Sequence, residues 1–208
     1  MDILIKANKN QGVIKMRICV YGAASSTIDA EYIEKVEQMG REMAKRGHSL
    51  VFGGGGNGLM GAAARGVRAE NGHILGVIPK FFGEEKVEAI FEFCDELIEP
   101  DTMRERKQIM EDNADAFIIV PGGIGTFEEF FEILTLKQLC RHNKPIAIYN
   151  LRGYYNEITH ALEKATEKNF IRGNCMELFY TTESLDELFA YVEAPQTPMK
   201  SVKELKDG

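Results

Sequence analysis

Residues Ala116-Phe-Ile-Ile-Val-Pro-Gly-Gly-Ile-Gly-Thr-Phe-Glu-Glu129 set the architecture. Ala116 to Val120 are apolar without alternation, as in a strand buried on both faces, and the run stops at Pro121. A glycine-rich turn follows, then a segment of helical period. Such a turn lets backbone N–H groups approach a phosphate, and the helix, expected to begin near Thr126, directs its unpaired N–H groups and positive dipole end at the same point. Glu129 then lies one turn into the helix, within reach of a sugar held by its phosphate. Thr126-x-x-Glu129 is equally a capping box, in which both side chains satisfy the helix's own N–H groups. Taken alone, the stretch supports either reading.

Outward from this unit, short apolar runs alternate with longer segments of helical period, the pattern of parallel strands joined by crossover helices. Strands are expected at Arg17–Tyr21, Ser49–Phe52, His73–Ile78, near Glu96–Ile98, at Pro145–Tyr149 and near Glu177–Tyr180. Helices are expected at Ala30–Arg46, ended by Gly47, at Leu59–Glu70, from Asp101 or Thr102 to about Asn113, at Tyr154–Asn169 and at Ser184–Val192. Thr102-x-x-Glu105 is a second capping-box pattern. The segment Lys80 to Glu92 reads as irregular. The expected class is α/β, a single domain over residues 16–192 with an open parallel sheet and helices on both faces. Residues 1–15 read as an extension and 193–208 as a flexible tail.

Composition narrows the partners. With 208 residues, 44% of them hydrophobic, the chain suits one substantial core. A net charge of −7 argues against nucleic acid, which demands a basic face, but not against a small anionic ligand held by local N–H groups and arginines. Cys19, Cys94, Cys140 and Cys175 are widely spaced and form no C-x-x-C pair, so neither a metal site nor a disulfide framework is expected. No apolar run reaches the ~18 residues of a membrane span, and the N-terminal residues lack the apolar core of a signal peptide. A reduced, cytoplasmic protein is the simplest account.

In an open parallel sheet every strand-to-helix turn emerges at the carboxyl edge, where ligands bind. The turns at Gly22, Gly53 and Gly122 are therefore expected to converge. Gly53-x-Gly55-x-x-Gly58 matches a dinucleotide fingerprint but follows the second strand, and no acidic residue ends a following strand to hold an adenosine ribose. Leu59 stands where a Walker lysine would be. In Met103-Arg-Glu-Arg-Lys107, Arg104 and Lys107 share one helix face and Met103 and Arg106 another. The run reads as a solvated charged face or as part of an anion site.

Together these motifs resemble the LOG (lonely guy) family, cytokinin riboside 5′-monophosphate phosphoribohydrolases often mislabelled as lysine decarboxylases. The signature P-G-G-x-G-T-x-x-E is met by Pro121, Gly122, Gly123, Gly125, Thr126 and Glu129. Gly53-Gly-Gly55, Gly58-Leu-Met-Gly61, Val20-Tyr-Gly22 with Ser25-Ser26, Arg106-Lys107 and Gly153-Tyr-Tyr-Asn156 add to the likeness, which spans about Met16 to Val192. Arg104 stands where the family commonly has histidine. The resemblance implies a Rossmann-like fold and hydrolysis of the N-glycosidic bond of an adenine or N6-prenyladenine nucleoside 5′-monophosphate, without metal or organic cofactor. Glu129 would be the catalytic carboxylate and Arg106 the second catalytic residue. The turn Gly122, Gly123, Gly125 and Thr126 would take the phosphate, with Gly54, Gly55, Ser25 and Lys107 as further contacts and Met103 against the base. A homodimer through the helix at 126–141, which carries more apolar surface than one face needs, is also implied. A nucleotide- or molybdenum-cofactor-binding carrier of the same fold is the alternative.

Overall fold

A computed structural model describes residues 15–85, 89–171 and 175–196. The expected N-terminal extension, apart from Lys15, and most of the expected tail lie outside the described residues. Seven strands form one parallel sheet: β1 (Arg17–Tyr21), β2 (Ser49–Phe52), β3 (Ile74–Val77), β4 (Glu96–Ile98), β5 (Ala116–Ile119), β6 (Ile146–Tyr149) and β7 (Tyr180–Thr182), in the spatial order β4-β3-β2-β1-β5-β6-β7. The order runs one way from β1 to β4 and the other way from β5 to β7. The crevice between β1 and β5 is thus the topological switch point, where open α/β sheets place their ligands. Register fixes its level: Val20 pairs with Phe52 and Ile118, and Tyr21 with Ile119, so the chain leaves β1, β2 and β5 at nearly the same height.

The helices are α1 (Ala30–Lys45), α2 (Gly58–Ala69), α3 (Lys80–Glu84), α4 (Met103–Asp112), α5 (Ile124–Gln138), α6 (Asn156–Glu167) and α7 (Leu185–Glu193). Two cores result, one on each sheet face. Ile18, Val20, Leu50 and Phe52 pack against α1, α2 and α7, and Cys19, Tyr21, Phe117 and Ile119 pack against α4, α5 and α6. Successive strand residues point to opposite faces, so unbroken apolar strands are what two cores demand. α1 shows the helical version of the rule: Asp29 caps it through Glu31 N at 3.0 Å, Val36, Met39, Gly40 and Met43 form its buried stripe, and Gly47 ends it at φ +82°.

Three expectations are corrected. α5 begins at Ile124, with Gly123 in extended conformation as its N-cap, so Thr126 lies inside the first turn and the Thr126–Glu129 capping box does not form. The last strand lies at Tyr180–Thr182 instead of Glu177–Tyr180. Phe179 turns into the core against Phe130, and the chain joins β6 after it, while Cys175–Glu177 forms a 3-10 turn. Within the segment read as irregular, Lys80–Glu84 is helical, tied down by Lys80 to Asp101 at 2.6 Å.

Candidate active site

The three turns do meet. Ala23 N–H donates to the Pro121 carbonyl at 3.1 Å, and Leu59 N–H to the Ala23 carbonyl at 2.8 Å, so the turns after β1, β2 and β5 are hydrogen-bonded to one another. Several glycines are there for close packing. A side chain at Gly22 would strike Val120, one at Gly122 would strike Thr126, and Gly54 adopts φ +78° against Ile78. Gly55 bridges Ile90 from the following segment. Ser25 is exposed on the first turn, its hydroxyl 3.1 Å from that of Thr27.

Gly123 and Gly125 differ from these. Neither has a positive φ, and a Cβ built on either meets nothing within 4 Å. Protein packing and backbone conformation therefore leave their lack of side chains unexplained, whereas a ligand brought against the backbone would require it. Among the described residues, no N–H of Gly122, Gly123, Ile124 or Gly125 donates to a protein acceptor. These groups open the N-terminus of the 15-residue α5, where no side chain caps it. Free N–H groups and a helix dipole together make an anion cradle. Thr126 is buried beneath Gly122, so within the cradle it acts as a floor.

Arg106 is 5% exposed, on the first turns of α4, which the expected capping box holds in place: Thr102 Oγ1 accepts from Glu105 N at 3.1 Å, and Glu105 Oε2 accepts from Thr102 N at 3.2 Å. Its Nε donates to the Val77 carbonyl at 3.1 Å and its Nη2 to the Gly53 carbonyl at 3.2 Å. Phe82 of α3 lies 5.7 Å from its guanidinium and Met103 Sδ 3.9 Å from Nη1. A side chain at Gly53 would overlap the guanidinium. Arg106 is thus a buried cation in a fitted berth, not part of a solvated face. Met103 is 39% exposed at its edge.

Glu129 is half-buried, and its carboxylate makes neither a hydrogen bond nor an ion pair among the described residues. Burial pushes its pKa up from the ordinary carboxylate value to about 7; Arg106 pulls it down and Glu128 adds to the rise. An acid without a structural partner, poised near neutrality beside a fixed cation, has the properties of a reacting group. The correction at the start of α5 bears directly on this, because it removes capping as the reason for the residue. Lys107 is less available than expected. It pairs with Glu128 and with Glu132 at 2.7 Å, tying α4 to α5. Burial works to lower its pKa, but those two hydrogen bonds outweigh it and hold the amine above its usual value, a firm cation.

Three neighbouring tyrosines lie in motifs that the sequence displays without revealing their use. The Tyr21 hydroxyl is buried, with the Cys19 thiol beside it and no hydrogen bond of good geometry among the described residues, and burial holds its pKa well up. Tyr154 and Tyr155 reach the cradle from the turn after β6. A tyrosine pair behind a strand reads equally as core or interface, and partners thirty residues away are invisible in the sequence.

The sequence model of a family described as "Possible lysine decarboxylase" matches residues 60–192. The chain is 34% identical over 177 residues to the cytokinin riboside 5′-monophosphate phosphoribohydrolase LOG2 of Arabidopsis thaliana, covering 85% of this chain and 82% of that protein. It is 37% identical to LOG7 of the same plant, over 85% of this chain and 81% of that protein. Among solved structures, the molybdenum cofactor binding protein of Rippkaea orientalis superposes with a TM-score of 0.65 at 18% identity, covering 86% of this chain and 97% of that one. A Moco carrier protein from Chlamydomonas reinhardtii gives 0.65 at 20%, covering 86% and 96%. At these identities the structural likeness establishes the Rossmann-like fold alone. The sequence relatives go further: with the signature from Pro121 to Glu129 seated on the switch-point crevice, the chain belongs to the LOG family of cytokinin riboside 5′-monophosphate phosphoribohydrolases.

Proposed function

We propose that the protein hydrolyses the N-glycosidic bond of an adenine or N6-prenyladenine nucleoside 5′-monophosphate, giving free base and ribose 5-phosphate. The observation that carries the reading is the pair Gly123 and Gly125, open to the outside for no internal reason, one to two turns from an unpartnered Glu129. The 5′-phosphate sits on the free N–H groups of the cradle, which places C1′ of the ribose toward the Glu129 carboxylate. Breaking the C1′–N bond builds oxocarbenium-like positive charge on the sugar, which the carboxylate stabilises while it orients the attacking water. Arg106 fixes the substrate and draws the Glu129 pKa down against the effect of burial, to about 7. Ser25, Gly54 and Gly55 line the approach, and Met103 offers its thioether edge to the base. The relatives' names support this substrate class.

Decarboxylation of lysine finds no support in the lysines of the site: Lys107 is tied between two carboxylates, and Lys144 donates to the Glu111 carbonyl at 2.6 Å over the Phe117 ring. The exposed Phe131 and Leu139 on α5, 39% and 42% accessible, support a homodimer through this helix. Among the described residues no helix is long and apolar enough to cross a membrane. Cys19, Cys94 and Cys175 are free thiols, which supports a reducing, cytoplasmic setting.

The test is to incubate the purified protein with adenosine monophosphate and with its N6-isopentenyl derivative, following both products by chromatography. Equimolar base and ribose 5-phosphate are expected. Tight nucleotide binding without release of base would shift the assignment to a carrier of the same fold.

A further inference from the structure

The cradle is aimed by residues outside its own loop. Three consecutive carbonyls are pinned: Val120 O accepts from the Tyr155 hydroxyl at 2.8 Å, Pro121 O from Ala23 N at 3.1 Å and Gly122 O from the Tyr154 hydroxyl at 2.7 Å. The described peptide bonds are all trans, and a trans peptide points its C=O and the next N–H to opposite sides. Fixing the Pro121 and Gly122 carbonyls therefore turns the N–H groups of Gly122 and Gly123 the other way. The Gly122–Gly123 peptide is flanked by two glycines, which impose little rotational preference of their own, so the Tyr154 hydroxyl decides its orientation.

The turn that delivers the two tyrosines is built for the purpose. Gly153 adopts φ +70° and Arg152, with a full side chain, φ +55°. Arg152 is held there by Glu31 at 3.1 Å and Asp29 at 3.5 Å, at the start of α1. Asn150 Oδ1 accepts from Tyr155 N at 2.7 Å, and Asn150 Nδ2 donates to Asn156 Oδ1 at 2.8 Å. Backbone strain of this kind persists only where its surroundings over-determine it. Here its yield is one hydroxyl on the Gly122 carbonyl of the cradle and one on the Val120 carbonyl at the strand end before it.

We infer that Tyr154 is a positioning residue that orients the phosphate cradle and so sets the preference for phosphorylated over unphosphorylated nucleosides, with Tyr155 anchoring the strand end from which the cradle starts. The inference rests on the nucleotide reading above. Tyr154→Phe is the clean variant, because Tyr154 is 43% exposed and its ring keeps its edge contacts with Tyr32 and Tyr155. By calorimetry, its affinity for ribose 5-phosphate and adenosine monophosphate is expected to fall roughly three- to tenfold, the worth of one hydrogen bond, with adenosine affinity unchanged. KM for the monophosphate rises by the same factor and kcat stays within about twofold. Tyr155→Phe is expected to lower the melting temperature, since it leaves the Val120 carbonyl without its hydroxyl partner, and to change the ratio less than Tyr154→Phe does, because Pro121 carries no N–H for that carbonyl to aim. Equal affinity of Tyr154→Phe and wild type for ribose 5-phosphate would overturn the inference, as would an equal loss for adenosine and its monophosphate. Wild-type protein that binds neither phosphate ligand would instead overturn the nucleotide reading itself.

Discussion

At the scale of single residues, burial and unpaired groups separate function from packing. A carboxylate whose folded pKa is raised favours its protonated form in the native state. It contributes stability fully present below its unfolded value near ~4.3, which is lost as pH rises to about 7. Glu129→Gln should therefore melt higher than wild type at pH 8, by about 2–4 °C if the gain is near 1 kcal/mol, and equally at pH 4; calorimetric scans at both values check it. A capping residue would show the reverse sign at pH 8. The wild-type kcat/KM is expected to rise through a midpoint close to pH 7 as the carboxylate ionises, and a flat profile from pH 6 to 8 would count against its role. Gly123→Ala fits the free protein, since its φ is −98° and its Cβ has room, so stability should hold within about 0.5 kcal/mol while KM for the nucleotide rises tenfold or more. The sequence made Glu129 visible and left it ambiguous, because Thr126-x-x-Glu129 has the spacing of a capping box and the first residue of α5 depends on backbone angles. The uses of Tyr154 and Tyr155 were illegible, as hydrogen bonds across 32 and 35 residues leave no local pattern.

At the scale of elements, legibility followed periodicity. β1, β2 and β4 lie where their apolar runs place them, α1 begins at Ala30 as expected, and α4 starts at the cap its sequence announces, Thr102, while Ser184, expected as the first residue of α7, caps it instead. β7 was misplaced because Phe179 is apolar for the core and not for a strand, a distinction tertiary packing makes. α3 is a five-residue helix held by a contact to Asp101, too short for any period to show. The capping box of α4 matters for function because Arg106 sits one turn beyond it. Thr102→Ala should cost about 1 kcal/mol in denaturant unfolding. It should also lower turnover several-fold at temperatures where the fold is intact, because the first turn that aims the guanidinium at the Gly53 and Val77 carbonyls loosens.

At the scale of the molecule, the sheet order brings the ends of β1, β2 and β5 together, and the family signature occupies the switch point such sheets reserve for ligands. The convergence of three turns was legible because all follow apolar strands of a parallel sheet. The core-facing side of α5 holds Phe130, Ile133 and Leu134, while Phe131 and the C-cap Leu139 remain uncovered, and a homodimer through this surface is the proposal they support. Sedimentation of the wild type is expected to give the mass of two chains, and Phe131→Asp the mass of one with reduced activity. Catalysis as proposed requires Glu129 to act on the sugar after the cradle has taken the phosphate. Its most direct test is to measure base release and nucleotide affinity side by side for wild type and Glu129→Gln. In Glu129→Gln, kcat is expected to fall about 10²–10³-fold while the dissociation constant for the monophosphate stays within about twofold. Turnover of Glu129→Gln within tenfold of wild type, or loss of binding in proportion to loss of rate, would contradict it.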